Sequence, residues 1–357
     1  MIKKISNSPD LFSGNIFIFH AFDIGDSISL EGIKKAQLLL SPPQTIPKYF
    51  KNYHTPLSVE LPHPHSTSKC ISVNLHHFGA VGLVYQVPFQ DTLENLRKEL
   101  SDVDNEYQEQ SISDLKALYK KIKPHIFQPN FFHHKTSYIV VQVDPSPKMK
   151  DIDQITQNYG NIIASMLRLE DVQLSDEQKD EILDNNIGYY RKDLVLIDTE
   201  CAFVYDAEYH ELLNFFEFAN LQQLELQYFD NLLEKQLNTF YEKRGPSIPL
   251  KSYLPFVGLK NDPISELDKL RVDISVITER LENSIKITGE AYYTELYAHL
   301  IDKLNLLGWQ ESIERKLSVL RDIKTVYNDK INTFREHMLE TLIIILIFIE
   351  LMVGIFK

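Results

Sequence analysis

Three groups of histidines are the residues of this chain whose types and spacing could do chemistry. They are His63 and His65 near Cys70, His76 beside His77, and His133 beside His134. Imidazole nitrogens and thiolates are the ligands that zinc takes in proteins. None of these groups has the spacing of a known zinc motif, however, and histidines in proline-rich loops and at strand ends often face solvent. The sequence therefore predicts no metal site.

Three shorter motifs resemble catalytic or cofactor-binding signatures, and each lacks a required residue. His210-Glu211 would begin an HExxH zinc helix, but position 214 is Asn. Ser165 precedes Arg168 rather than the lysine of a serine–lysine nucleophile pair. The run 79–82 has two glycines but lacks the third glycine and the helix start of a phosphate cradle, so a tight turn explains it. The sequence thus predicts no catalytic residue, no cofactor-binding residue and no cofactor.

Composition and charge limit the classes of partner. The chain has 357 residues, enough for two or three domains, and a net charge of −13. Because an acidic protein lacks the positive electrostatic field that attracts phosphate backbones, direct nucleic-acid binding is not expected. Two cysteines, Cys70 and Cys201, make no disulfide framework and indicate a reducing compartment. The first residues lack the apolar core of a secretory signal, so we expect the bulk of the chain in the cytoplasm.

Residues 1–205 predict a mixed α/β domain. Short apolar runs predict strands at 15–20, 71–77, 80–87, 138–143, 194–197 and 202–205. Helices are predicted at 29–36, 91–123 and 153–169. Asp91 is the expected cap of the second helix, and Pro124 is its expected stop. Six prolines between residues 41 and 69 predict an irregular, exposed connection.

Residues 206–337 predict a helical region with coiled-coil character, interrupted by a proline-rich loop at 245–263. Apolar residues recur there at alternating spacings of three and four, which is typical of a helix-packing seam. The seam begins with Leu267, Leu270, Ile274, Ile277 and Leu281 and continues through Leu317, Leu320, Tyr327, Ile331, Phe334 and Met338. Because one helix cannot bury so long a stripe alone, we expect antiparallel packing within the chain, with self-association as the alternative.

Residues 338–357 predict a transmembrane anchor. Its central residues are Leu342, Ile343, Ile344, Ile345, Leu346, Ile347, Phe348, Ile349, Glu350 and Leu351. At about 1.5 Å per residue, a helix over 338–356 covers about 28 Å, close to the ~30 Å of a bilayer's hydrocarbon core. An ionised Glu350 costs about 2.5–3.5 kcal/mol, which is less than the apolar side chains contribute. A helix buried in an oligomer is the alternative.

The C-terminal residues also resemble a known family. Within 335–356, Leu339-Glu340, the apolar run 342–349 and Glu350 are similar to the closing segment of the YagE family. More loosely, 315–321 resembles the helix that precedes the membrane in that family, and 77–85 resembles its glycine-centred hairpin. Eukaryotic members are the required-for-meiotic-nuclear-division proteins of the mitochondrial inner membrane, which support translation of organelle-encoded membrane proteins. The resemblance implies a tether or assembly factor without known catalysis, and the lack of a transit peptide favours a bacterial member.

Together these patterns predict an α+β fold, in which a mixed α/β domain precedes a long, coiled-coil-like helical region that ends in one transmembrane helix. The expected function is a non-enzymatic, tail-anchored scaffold or tether that crosses the inner (cytoplasmic) membrane once. It would hold a protein partner near the bilayer, and the resemblance implies a ribosome-associated one. Two alternatives stay open: an unrecognised, hydrolase-like enzyme in the N-terminal domain, and a soluble homo-oligomer that buries its apolar tail.

Overall fold

The computed structural model describes residues 10–41, 55–132, 134–146, 149, 151–190, 192–242 and 291–356. A mixed sheet with its helices comes first in the chain, and long helices follow it. The described chain divides into two compact units: unit 1 holds the residues up to 228 together with 291–307, and unit 2 holds 229–242 with 308–356. The predicted α+β fold class is therefore confirmed. The predicted domain boundaries at residues 205 and 337 stay a prediction.

An eight-stranded sheet forms the centre of unit 1. Its strands are β1 (Phe12–Asp23), β3 (Leu57–Ser58), β4 (Cys70–Leu75), β5 (Ala80–Asp91), β7 (Lys135–Val143), β8 (Asn186–Ile187), β9 (Leu194–Ile197) and β10 (Cys201–Tyr205), whereas β2 (Ser27–Ile28) pairs separately with β6 (Ile126–Phe127). The strand order is β3-β4-β5-β1-β7-β10-β9-β8. Among the described strands, β7 and β10 alone pair in parallel, because the chain crosses over between them through two helices.

Helices cover both faces of this sheet. The helices among the described residues are α1 (Leu30–Lys35), α2 (Leu93–Ile122), α3 (Ile152–Leu167), α4 (Asp176–Asp184), α5 (His210–Glu242), α6 (Ala291–Lys303) and α7 (Leu306–Ile355). On one face, Ile18 and Phe22 of β1 share a core with Leu118 of α2. On the other face, Tyr138 of β7 stacks on Phe216 of α5, with ring centroids 5.7 Å apart. Burial on both faces explains why these strands read as continuous apolar runs.

The predicted hairpins at 71–87 and 194–205 are confirmed, and the two glycines of the first have different roles. Gly79 forms the turn with φ +93°, and a side chain there would overlap the carbonyl oxygen of Gly25. Gly82 lies inside β5 rather than in the turn. A Cβ atom placed on Gly82 would lie 3.3 Å from the Oε1 atom of Glu217 in α5. A tight turn therefore explains only one of the two glycines, and the second allows a helix to approach the sheet closely.

One local prediction in the N-terminal region holds only in part, and another is wrong. Of the expected exposed connection at 41–69, the structure describes residue 41 and residues 55–69. Leu57 and Val59 are buried there as β3 joins the sheet, whereas His63, Ser66 and Thr67 are exposed. The cap of α2 is Thr92 rather than Asp91, because the Thr92 hydroxyl accepts the Asn95 N–H at 3.2 Å. The carboxylate of Asp91 instead accepts the N–H of Thr92.

In unit 2, α7 packs beside the end of α5, and the two helices run parallel. Ser312 donates to the carboxylate of Asp230 at 2.7 Å, and Lys316 lies 3.1 Å from the carboxylate of Glu234. The residue numbers of the contacting pairs increase in the same direction along both helices. This pair therefore does not provide the antiparallel packing expected for α7. The proline-rich loop and the seam residues of 267–281 lie outside the described residues.

Candidate functional site

The end of α7 can cross a membrane by its length and composition. The segment Asn332–Ile355 has 24 residues, and none of its most apolar part is buried within the chain. At about 1.5 Å per residue it is about 36 Å long. All ten predicted anchor residues, 342–351, are exposed, with Ile344 at 66% and Leu346 at 64%. The predicted apolar helix is confirmed as a candidate span.

The seam residues of α7 do not form one continuous buried stripe in the described chain. Leu320 is buried, and Leu317 and Met338 are half-buried, whereas Phe334 is 48% exposed. The side chains of Tyr327 and Ile331 lie outside the description. The coiled coil therefore stays a prediction.

A buried polar network lies between α2 and the sheet in unit 1. Asp114 of α2 is completely buried, and its Oδ2 accepts the Tyr85 hydroxyl at 2.8 Å. Its Oδ1 accepts the Gln110 amide at 2.8 Å and lies 2.7 Å from Nδ1 of His65. Hydrogen bonds of a carboxylate in a low-dielectric interior are strong, so the network ties the 55–69 segment to α2.

This network also fixes the orientation of His65, whose side chain is 26% exposed. A buried carboxylate that accepts from Nδ1 leaves Nε2 as the ring nitrogen available to a further partner. The arrangement is thus an oriented histidine–carboxylate pair. No sequence signal could have revealed it, because the two residues are 49 positions apart and neither belongs to a motif.

His20 of β1 adds a neutral histidine to this region. It is 1% exposed, and its ring centroid lies 6.0 Å from that of Tyr85. Burial is the main cause that lowers its pKa to about 3, and the positive charge of Lys135 acts in the same direction. Burial also lowers the pKa of His76 to about 3. Both imidazoles are therefore uncharged at neutral pH.

A β-bulge turns Cys70 toward the same network. Cys70 pairs with Tyr85 and Ser72 pairs with Val84, so the strand gains one residue between them. The thiol lines a cleft of about 340 Å³ together with Ser66 and Ser72. Burial first, and the charge of Asp114 second, raise the pKa of Cys70 to about 12. The sulfur is therefore a protonated thiol at neutral pH and a poor nucleophile.

The histidine groups singled out in the sequence do not converge in the described chain. His63 is exposed, His65 contacts Asp114, His76 is buried, His77 is half-buried, and His133 lies outside the described residues. Among the residues that the structure describes, no group of three His, Cys, Asp or Glu side chains could hold a metal ion.

Two exposed tyrosines and a half-buried one lie together in another part of unit 1. Tyr189 and Tyr190 are 58% and 72% exposed, with ring centroids 4.7 Å apart, and Tyr292 of α6 lies 5.4 Å from Tyr189. The carboxylate of Asp193 accepts both tyrosine backbone N–H groups, at 2.9 and 2.5 Å, and so fixes this turn. We call Tyr189, Tyr190 and Tyr292 the tyrosine patch.

The family similarity of this chain lies in unit 1 rather than in the apolar end of α7. A family described as "Uncharacterized protein MJ0711, N-terminal domain" matches residues 13–211. Uncharacterized protein MJ0711 of Methanocaldococcus jannaschii is 26% identical over 213 residues, which cover 58% of this chain. The match spans 63% of the length of that relative. No solved structure is significantly similar to the chain.

These matches overturn the resemblance to the YagE family, which the C-terminal residues had suggested. The matching family is a different one, and it covers the sheet with its helices instead of the apolar end of α7. The expected support of translation rested on that resemblance alone and falls with it. Since the match covers more than half of the 357 residues, the chain belongs to the family of the MJ0711 N-terminal domain.

Proposed function

We propose that this protein is a membrane-anchored tether, in which the end of α7 crosses a bilayer and holds the α/β domain at the membrane surface. The observation that supports the proposal is the exposure of every residue from Leu339 to Ile355, the most apolar part of the candidate span. Soluble monomers rarely expose continuous apolar surface of this extent, so the segment requires a covering medium. Lipid is the medium that accepts an apolar helix on all of its sides.

The insertion energy favours lipid. Twelve Leu, Ile, Val and Phe side chains lie between residues 339 and 355. At the centre of a spanning helix they contribute at most about −4 to −7 kcal/mol in total, against about +2.5–3.5 kcal/mol for an ionised carboxylate at Glu350. The balance is favourable by about 0.5 to 4.5 kcal/mol at most, before Glu350 gains any partner.

We also propose that the α/β domain faces the cytoplasm and binds a protein there. Free thiols at Cys70 and Cys201 support the cytoplasmic side, because oxidising compartments favour disulfides. The tyrosine patch supports a protein partner, since exposed aromatic side chains are enriched at protein interfaces. The net charge of −13 favours a partner with a basic surface.

The test is membrane extraction of the full-length protein and two matched variants. Replacing Ile344 and Ile347 with Lys adds about 6–8 kcal/mol to the insertion free energy, whereas replacing both with Leu changes it little. We expect the wild type and the Leu variant to stay with membranes in alkaline carbonate, and the Lys variant to become soluble.

Three results would contradict the anchor. They are release of the wild type by carbonate, retention of the Lys variant, and a single defined oligomer of the wild type that is soluble without detergent. The last result would support the alternative in which the apolar helices cover one another in water.

A further inference from the structure

Glu350 is a carboxylate within the apolar end of α7, and it needs an explanation if that helix lies in lipid. It is exposed within the chain, ten residues after Glu340 and five residues before the helix ends at Ile355. Five residues correspond to about 8 Å along the helix axis. Lysine and arginine reach the interface from such depths on long stems, but glutamate has a shorter one. An acid inside a span is therefore expected to meet a polar partner.

Glu350 also occupies a regular position on one face of the helix. Leu339, Ile343, Leu346, Glu350 and Val353 follow one another at spacings of four, three, four and three, which places them along one seam. A single polar residue in such a seam fixes register and oligomeric state at a cost in stability. We call these five residues the Glu350 seam.

Gly354 lies beside this seam, one turn after Glu350. Nothing lies within 4 Å of a Cβ placed on it, so the backbone is open on that side. Small residues in membrane helices allow a second helix to approach closely. An acid and an adjacent glycine are thus presented together to whatever contacts this face.

From these features, and resting on the proposed membrane anchor, we infer that the Glu350 seam binds the same seam of a second copy of this chain. Copies inserted by the same route have the same orientation, so their helices are parallel and place Glu350 at equal depth. One protonated carboxyl can then donate a hydrogen bond to the carboxylate of the other copy, so that two acids share one proton. A different membrane protein would need its own polar group at the same depth, whereas a second copy supplies it by symmetry.

The test measures association of the full-length protein in lipid vesicles by energy transfer between labelled copies. We expect the wild type to associate, Glu350→Gln to associate within about 3-fold of it, and Glu350→Leu to associate about 5- to 20-fold more weakly. Glu340→Leu is the matched control, because Glu340 lies at the start of the apolar run, and it should behave as the wild type.

Oxidative cross-linking locates the contact. Leu346→Cys places a thiol in the Glu350 seam, and Phe348→Cys places one on the opposite face of the helix. The wild type shows how much cross-linking comes from the native cysteines, Cys70 and Cys201. Only the first variant should form a disulfide-linked dimer in membranes.

Vesicle flotation of each sample separates the two proposals. A wild type that floats but stays monomeric, a Glu350→Leu variant that associates as strongly as the wild type, or equal cross-linking at both positions would overturn the seam and leave the anchor intact. A wild type that fails to float would overturn the anchor, and the inference with it.

Discussion

Replacing Asp114 tests whether the buried network stabilises unit 1 as its geometry indicates. The carboxylate is fully buried and accepts hydrogen bonds from Tyr85 and Gln110, with His65 at 2.7 Å. Asp114→Ala removes both acceptor oxygens and leaves these buried donors without a hydrogen-bond partner. We therefore expect a loss of about 3–5 kcal/mol in the free energy of unfolding. Asp114→Asn keeps one oxygen for two of the donors, and its amide can donate to the Tyr85 hydroxyl. Its expected loss is therefore only about 1–2 kcal/mol.

The assay is urea unfolding of the full-length protein in a mild detergent, followed by far-UV circular dichroism. Glu109→Gln is the control, because Glu109 is an exposed acid on the same helix, and its effect should stay within about 0.5 kcal/mol. A double-mutant cycle of Asp114→Asn with His65→Ala should give a coupling of about 1 kcal/mol. A loss below about 1 kcal/mol for Asp114→Ala, or equal losses for Ala and Asn, would refute the reasoning.

Two further predictions concern a buried acid and a turn. Burial raises the pKa of Asp23 to about 6 from 3.8, so the folded state binds more protons between these values and stability falls as pH rises through them. Asp23→Asn should therefore raise the free energy of unfolding by about 2–3 kcal/mol at pH 7 and by little at pH 3.5 in urea titrations. The control is Asp102→Asn, because Asp102 is an exposed acid on α2, and its effect should be small at both pH values. Equal effects of Asp23→Asn at both pH values would contradict this. Gly79→Ala should lower the stability of unit 1 by more than about 2 kcal/mol in thermal unfolding, because a Cβ atom there would overlap the carbonyl of Gly25. Gly354→Ala is the control and should leave the melting of unit 1 unchanged. Similar melting of both variants would exclude the steric argument.

Elements that depend on nearby residues could be predicted from the sequence. The hairpin of β4 and β5 needs only two apolar runs and a turn glycine, and all three lie within residues 70–91. Helix α1 was predicted within one residue at each end, because Ser29 caps it and apolar spacing continues from there. The cap of α2 was wrong by one residue, because Asp91 and Thr92 are both good caps and only the backbone geometry decides between them.

Contacts between distant residues could not be predicted in this way. Asn74 donates to Glu217 at 2.7 Å across 143 positions, and His65 meets Asp114 across 49. Polar residues of these types are common in the chain, and only the fold decides which ones meet. The parallel pairing of α5 and α7 belongs to the same class, since a seam pattern indicates an apolar face but not the direction of the partner.

The apolar end of α7 shows why a good structural signal can be a poor family signal. Lipid selects helices for length and apolar character, so unrelated spans converge on runs of Ile and Leu such as 342–349. The same residues therefore correctly predicted an apolar helix long enough to span a membrane, and wrongly predicted a family. In residues 13–211, by contrast, the side chains pack against particular neighbours on both faces of the sheet. Unrelated proteins would not share so many specific positions by chance, so similarity there indicates a family. This difference in constraint explains why unit 1 identifies the family, whereas the apolar helix indicates a candidate span and no family.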